Sequence, residues 1–173
     1  MKLFIVFLAI VILNISFLTF QSDLSRYLHM QGTIKAMAEE CAAGAALFFK
    51  TPEYADGYLV AEADEANKHI EFMLLNTAGT TGSLKMTEIW YEAVFFDDSL
   101  ISRTYRNGLL QKAIPFTFPF YYIDSQGKEV MVSAPSVVVT LNISMKDIFR
   151  LPFLEVKEIR RSAMYELKTK NSV

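Results

Sequence analysis

Residues 3–20 read LFIVFLAIVILNISFLTF, eighteen positions without a single charge. Only Asn14, Ser16 and Thr19 carry polar side chains in that run. An α-helix needs about 20 mostly apolar residues to cross the hydrocarbon core of a bilayer, and a run of about 18 already qualifies. The run therefore predicts a membrane-spanning helix, an anchor made by Leu3, Phe4, Ile5, Val6, Phe7, Leu8, Ile10, Val11, Ile12, Leu13, Asn14, Phe17, Leu18 and Phe20. Asn14 is its one amide, and an amide in a membrane helix can hydrogen-bond a neighbouring helix. No later segment is comparable, so a single crossing is expected, with membrane lipid as its first partner.

The competing reading is a cleaved secretory signal, built from a basic start, an apolar stretch of about 7–15 residues and a small-x-small cleavage site. Lys2 supplies the basic start, but the apolar run is longer than that pattern. Between Ser16 and Ser22 the key places hold Phe, Leu and Gln. An uncleaved anchor is the better reading. Lys2 faces Arg26 and Lys35 across the segment, so the basic-residue bias that orients spans is weak. The two-residue tail before Leu3 favours an N-terminus inside and the remainder outside.

Working outward, the helix does not stop at Phe20. Leu24, Tyr27, Gln31, Ile34, Ala38, Cys41, Ala45 and Phe48 follow in steps of three and four, one face of a helix with Gln31 as its polar exception. No proline occurs before Pro52. A helix from the membrane to about Phe49 would be ~70 Å long. Its outer half needs something to pack against, and the small residues Ala38, Cys41, Ala42, Gly44 and Ala45 permit close approach of another element.

A loop at Lys50–Gly57 carries Pro52 and Gly57 and breaks the pattern. A second helix follows, with Leu59, Ala63, Ala66, Ile70 and Met73 on one face and Asp64, Glu65, Lys68 and Glu71 on the other. Phe72 falls on the polar side. The helix is expected to end near Asn76, where Thr77-Ala-Gly-Thr-Thr-Gly82 forms a connection. Beyond it the periodicity changes to that of strands. Met86–Asp97 is rich in Ile, Trp, Tyr, Val and Phe, which favour strands. Phe116–Ile123 reads likewise, with Pro119 confining it to an edge or a bulge. Asp124-Ser-Gln-Gly-Lys128 leads into Glu129–Ser133, a hairpin signal. Along Val137–Ile143 the odd-numbered apolar residues alternate with Val138, Thr140 and Asn142, which predicts one buried face. A linker through Arg150-Leu-Pro-Phe153 precedes Val156–Lys168, where strand is favoured and helix remains compatible. Helices followed by antiparallel strands define an α+β domain.

Residues that could carry chemistry are sparse. His29 and His69 have no Cys or His at metal-ligand spacing, and both read as solvent-facing. No G-x-S-x-G elbow and no phosphate-cradling glycine loop occurs. Glu62, Asp64 and Glu65 sit where a helix dipole favours negative charge. Asp97-Asp98-Ser99 lacks the spaced ligands of a calcium loop and reads as a strand-ending turn. The lone Cys41 allows no intrachain disulfide; it reads as a buried small hydrophobe, with an intermolecular disulfide as the alternative. A net charge of −2 gives no electrostatic support for nucleic-acid binding. No cofactor, metal or catalytic group is expected.

The apolar helix, Asp23-Leu-Ser-Arg-Tyr27 and the small-residue run Ala38–Ala46 together resemble the TadE/TadG-like minor pilins of Flp-type (Tad) pili. A second helix ending at Asn76, Val137-Val-Val-Thr-Leu-Asn-Ile143, Phe149-Arg-Leu-Pro-Phe153 and Ile159–Leu167 fit the same pattern. Pilins carry a Glu just inside the apolar segment, after a small residue at a processing site. Here the first Glu is Glu39 and no Gly or Ala precedes the run. The resemblance therefore implies an anchored accessory or assembly component in a bacterial cytoplasmic membrane, meeting other pilin-like or assembly proteins. The expected layout is an anchor over 1–22, a helical region over 23–76 and an antiparallel β region over 77–173, in one extracytoplasmic domain. A tethered binding or sensing module unrelated to pili is the other reading; neither requires an enzyme.

Overall fold

The computed structural model describes residues 2–81, 89–124, 127–144 and 158–167. Its first element is one helix, α1 (Lys2–Ala45), 44 residues long. At 1.5 Å per residue that is about 66 Å. The chain unwinds in a last tight turn, with Leu47 N–H donating to the Gly44 carbonyl at 3.2 Å. A short helix, α2 (Thr51–Ala55), opens on Pro52 within its first turn, where a missing N–H costs nothing. The connector then runs back antiparallel to itself: Lys50 N–H bonds the Val60 carbonyl at 2.9 Å and Glu62 N–H bonds Phe48 at 3.0 Å.

The second long helix, α3, spans Ala63–Thr81 with Asp64 and Glu65 in its first turn. It starts later than Leu59 and runs five residues past Asn76. The stretch expected as a connection, Thr77–Thr81, is helical, because Thr77 folds its hydroxyl back onto the Met73 carbonyl at 2.9 Å and keeps to the ladder. Its buried line is Ala63, Ala66, Asn67, Ile70 and Leu74.

Five antiparallel strands form the main sheet in the order β3-β2-β1-β6-β7. They are β1 (Ile89–Phe96), β2 (Ile101–Arg106), β3 (Leu109–Pro115), β6 (Ser136–Ser144) and β7 (Glu158–Glu166). A separate hairpin, β4 (Phe120–Ile123) with β5 (Glu129–Val132), lies apart from that ladder. The expected strands at 86–97, 129–133, 137–143 and 156–168 thus appear as β1, β5, β6 and β7. Met86–Glu88, Gly82, Ser125, Gln126, the linker at Arg150–Phe153 and positions 156, 157 and 168 lie outside the described residues.

Three features differ from expectation. Strands β2 and β3 fill the interval between Asp97 and Phe116, where none was expected. The turn joining them places Asn107 and Gly108 at positive φ (46° and 75°), which the favoured two-residue hairpin turn demands. The strand expected from Phe116 begins only at Phe120, after the cis Phe118–Pro119 bond. And β6 is buried on both faces from Ser136 to Ile143, where one buried face was expected.

Two cores explain that double burial. On one side of the sheet α1 and α3 close over Phe95, Val139, Leu141 and Ile143 with Ile34, Met37, Cys41, Ile70 and Leu74. On the other side the β4–β5 hairpin and its approach cover Val94, Phe96 and Val138. There Phe96 meets Phe120 at 4.9 Å and Phe116 at 5.5 Å between ring centroids, and Phe116 meets Phe118 edge-on at 4.9 Å. A strand covered on both faces reads as a continuous apolar run, which is what Val137–Val139 is.

Candidate functional site

The long helix divides into two environments. Its first half has an 18-residue window of mean hydropathy 2.8, none of it buried, so it is a candidate membrane span. Within it, Asn14 donates an amide N–H to the Ile10 carbonyl at 2.8 Å, and Thr19 its hydroxyl to Ile15 at 2.9 Å. Both polar groups are thus served by the helix itself, as such side chains commonly are. The helix enters the head at Asp23, which is fully buried.

In the second half, Ala38, Cys41, Ala42 and Ala45 are buried in the core. At Gly44 a side chain of α3, His69, lies directly against α1. A Cβ built there would lie 2.6 Å from His69 Nε2. That imidazole is half-buried rather than solvent-facing, held between Phe48 (5.2 Å) and Phe72 (6.5 Å). His29, in contrast, is exposed. Burial, with the Glu40 charge beside it, pushes the Cys41 thiol up to about 12. It is an inert, protonated filler of the helix packing.

Deeper in the same interface lies a polar group that periodicity did not single out. The Tyr91 hydroxyl from β1 reaches Glu71 Oε1 at 3.2 Å and Asn67 Oδ1 at 3.4 Å on α3. Burial first, then the Glu71 charge, raises the Tyr91 phenol above its ordinary value. Gly108 closes the group, since a Cβ there would lie 2.9 Å from Glu71 Oε1. The arrangement ties the β2–β3 turn to α3.

At the end far from the apolar half, Asp97 and Asp98 clamp the connector. Asp97 is buried and ion-paired with Arg103. Its carboxylate also accepts from Ala61 N–H at 3.0 Å and from Ser99 N–H at 3.1 Å. Arg103 donates to the Ala61 carbonyl at 3.0 Å, and Asp98 accepts from Leu59 N–H at 2.6 Å. The turn reading of Asp97-Asp98-Ser99 holds, but these side chains also fasten α1's exit to the sheet. One signal was available: Asp97 shares the core-facing parity of Tyr91, Ala93 and Phe95.

The outer face of the sheet carries a recess beside two cross-strand rows of polar side chains. Cross-strand register places Arg160, Asn142 and Trp90 in one row, and Ser162, Thr140, Glu92 and Arg106 in the next. The Trp90 ring has Arg106 at 5.3 Å and Arg160 at 5.7 Å from its centroid, a distance at which guanidinium and ring attract. Asn142 donates to Glu158 at 2.8 Å, and Thr140 and Ser162 share a hydrogen bond at 2.9 Å. Beside these rows the hairpin leaves a cleft of about 220 Å³ between Tyr122, Asp124, Lys128, Ser162 and Met164. Burial and then the charges of Glu92 and Asp124 push the Tyr122 phenol up to about 12, against the opposing pull of Arg160.

Among the described residues no group of three or more His, Cys, Asp or Glu is disposed to hold a metal ion. The architecture is a pilin-like arrangement: a long apolar N-terminal helix packed by its second half on an antiparallel sheet, with a second helix alongside. No protein-family model matches the chain, and neither does any curated protein or solved structure.

Proposed function

We propose that this chain is a membrane-anchored structural or assembly component of a Tad-like pilus or secretion-related complex, without enzymatic activity. The observation that supports this reading is the continuity of α1. One rigid element exposes apolar side chains over its first half and is welded into the head over its second. A rod of that kind transmits position between a membrane and a head domain, which a flexible tether cannot do. The N-terminus is inside and the head outside the cytoplasmic membrane of a bacterium. Because the small-residue face is consumed inside the head, lateral contacts with other pilin-like or assembly proteins come from the apolar half of α1 and from the open surface of the sheet.

The test is membrane fractionation and N-terminal sequencing of the native protein, joined to deletion of its gene. An integral protein starting at Met1, and loss of pili or secretion on deletion, are the expected results. A mature chain starting beyond Phe20 overturns the anchor. Normal pili and secretion in the deletion strain overturn the assembly role. The second reading, a tethered binding module, is favoured by one observation, the cleft between Tyr122, Asp124, Lys128 and Ser162. It is supported if the head binds a small polar ligand while the deletion strain assembles normally.

A further inference from the structure

Leu100 has a φ of 55° in the turn Asp97–Leu100 between β1 and β2, where its N–H closes on the Asp97 carbonyl at 3.0 Å. Among the described residues, positive φ is otherwise confined to Gly57, Asn107, Gly108 and Gly127, which tolerate it. A leucine does not, because in the left-handed conformation its Cβ crowds the following carbonyl oxygen. Tight hairpin turns ordinarily place glycine at such a position. Nor does burial offset the strain, since Leu100 is 44% exposed. A strained residue that the core does not use points to a contact made outside the fold.

Leu100 does not stand alone. Asp98, two residues before it, grips the connector: its N–H donates to the Leu59 carbonyl at 3.1 Å and its carboxylate accepts from Leu59 N–H at 2.6 Å. Tyr58, next to Leu59, is exposed, as are Tyr54 of α2, Leu47 at the exit of α1 and Ile101. Tyr58 N–H bonds the Glu53 carbonyl at 2.9 Å and fixes the two tyrosine segments to each other. Charge names the occupant of this tip. Residues 47–62 and 97–101 hold the carboxylates Glu53, Asp56, Glu62, Asp97 and Asp98 against a single cation, Lys50. Of these carboxylates only Asp97 is ion-paired among the described residues, with Arg103. A rim of that sign repels anionic lipid and the same tip of a second copy alike, and it attracts lysine and arginine.

We propose that this tip is the docking surface for a basic segment of a partner protein, one whose lysine or arginine side chains flank an apolar anchor. Leu100, Tyr58 and Tyr54 supply the apolar contact, and Glu53, Asp56 and Glu62 select the sign, the division between anchor and rim usual for protein interfaces. The proposal stands apart from the anchor and pilus readings, because it rests only on the tip.

The test uses the full chain in nonionic detergent micelles and two synthetic peptides, a glycine–arginine–leucine repeat and its counterpart with glutamate for arginine. Amide and methyl NMR shifts locate binding, and titration measures affinity. The arginine peptide is expected to shift residues 53–62 and 97–101 and to bind at least about tenfold more tightly than the glutamate peptide. That advantage should shrink at high salt. Glu53→Lys combined with Asp56→Lys, at positions outside the core, is expected to reverse the preference with the fold intact by circular dichroism. Leu100→Gly is expected to hold or raise the denaturation midpoint, since glycine relieves the strain, while weakening the arginine peptide at least about fivefold. Tyr121→Ser, at an exposed site on the β4–β5 hairpin, is expected to change neither. No shift at the tip at millimolar peptide, a preference unmoved by the double substitution, or undiminished binding in Leu100→Gly each overturns the proposal. A midpoint that falls in Leu100→Gly overturns it too, because the leucine would then serve the fold. So does binding gained only on deletion of residues 168–173, which carry Lys168 and Lys170, since the chain's own terminus would then be the occupant.

Discussion

The two halves of α1 are one helix with opposite solvents. Residues 3–20 are bulky, strongly apolar and largely exposed; residues 34–46 are smaller, less apolar and buried along one face, at Ile34, Met37, Ala38, Cys41, Ala42, Ala45 and Ala46. Hydropathy alone would rank the first half as the core. What separates them is geometry. A span that faces lipid needs bulk and no partner shape, whereas a helix seated on a sheet needs small residues where the partner comes close. Gly44 under His69 is the extreme case. The halves must therefore respond differently to the same substitution.

The largest contrast is expected from arginine. Ala42→Arg places a charge where only 1% of the residue is exposed, and an unpaired buried charge costs several kcal/mol. The head should fail to fold, read as lost protease resistance in detergent. Ile10→Arg should leave the head's resistance unchanged and weaken membrane retention, by about 2.5–3.5 kcal/mol on insertion scales, read by alkaline extraction. If both variants damage the head equally, the division of α1 is wrong. Truncation gives the next contrast. Ile34 is fully buried, so Ile34→Ala should cost about 2–5 kcal/mol of head stability. Ile12→Ala, at an exposed site, should leave the denaturation midpoint of the head where it was.

Much of this was legible in the sequence, and what was hidden has a physical reason. The span is uniform in composition, so Leu3–Phe20 needs no partner to be recognised. The packing face of α1 follows from the steps through Ile34, Ala38, Cys41 and Ala45, since helical spacing is local. The β2–β3 hairpin was hidden although Asn107-Gly108 is a hairpin turn dipeptide, because its strands do not alternate: β3 is exposed on both faces and shows no period of two. The second burial of β6 was hidden for the opposite reason. Its outer face is covered by a hairpin from elsewhere in the chain, and Thr140 and Asn142 look like a solvent face unless Ser162 and Glu158 are known to meet them. The outer-face cleft and the Tyr91–Glu71–Asn67 group are likewise products of register between distant segments.

Alkali sharpens the comparison further. The Cys41 thiol titrates at 9.0 in an open chain and near 12 in the fold, so above pH 9 the unfolded chain loses a proton that the native state keeps. Stability is then fully present below pH 9 and falls by roughly 1.4 kcal/mol per pH unit as the pH rises toward 12. Tyr91 and Tyr122, both raised from an ordinary 10.0, add to the fall above pH 10. Urea midpoints at pH 8 and pH 10 measure the slope. Cys41→Ala should abolish the part of the fall between pH 9 and 10, while the apolar half of α1, without a titrating group, contributes none.

The smallest expected effect separates two glycines of the same helix by sign. At Gly32 a Cβ would meet nothing within 4 Å, and at Gly44 it would meet His69 Nε2 at 2.6 Å. Helix propensity favours alanine over glycine by about 0.8–1 kcal/mol at either place. Gly32→Ala should therefore stabilise the head by up to that amount. At Gly44 the same gain is opposed by displacement of an imidazole lodged between Phe48 and Phe72. Because the clash is with a side chain and not with backbone, the ring can move, and a net loss of about 1–2 kcal/mol is expected, within the usual range for overpacking. The decisive measurement is a double-mutant cycle. His69→Ala alone removes the obstacle and costs its own packing, and Gly44→Ala in that background should turn stabilising, as Gly32→Ala is. If Gly44→Ala remains destabilising without the imidazole, close approach of α3 through His69 is not what requires a glycine there.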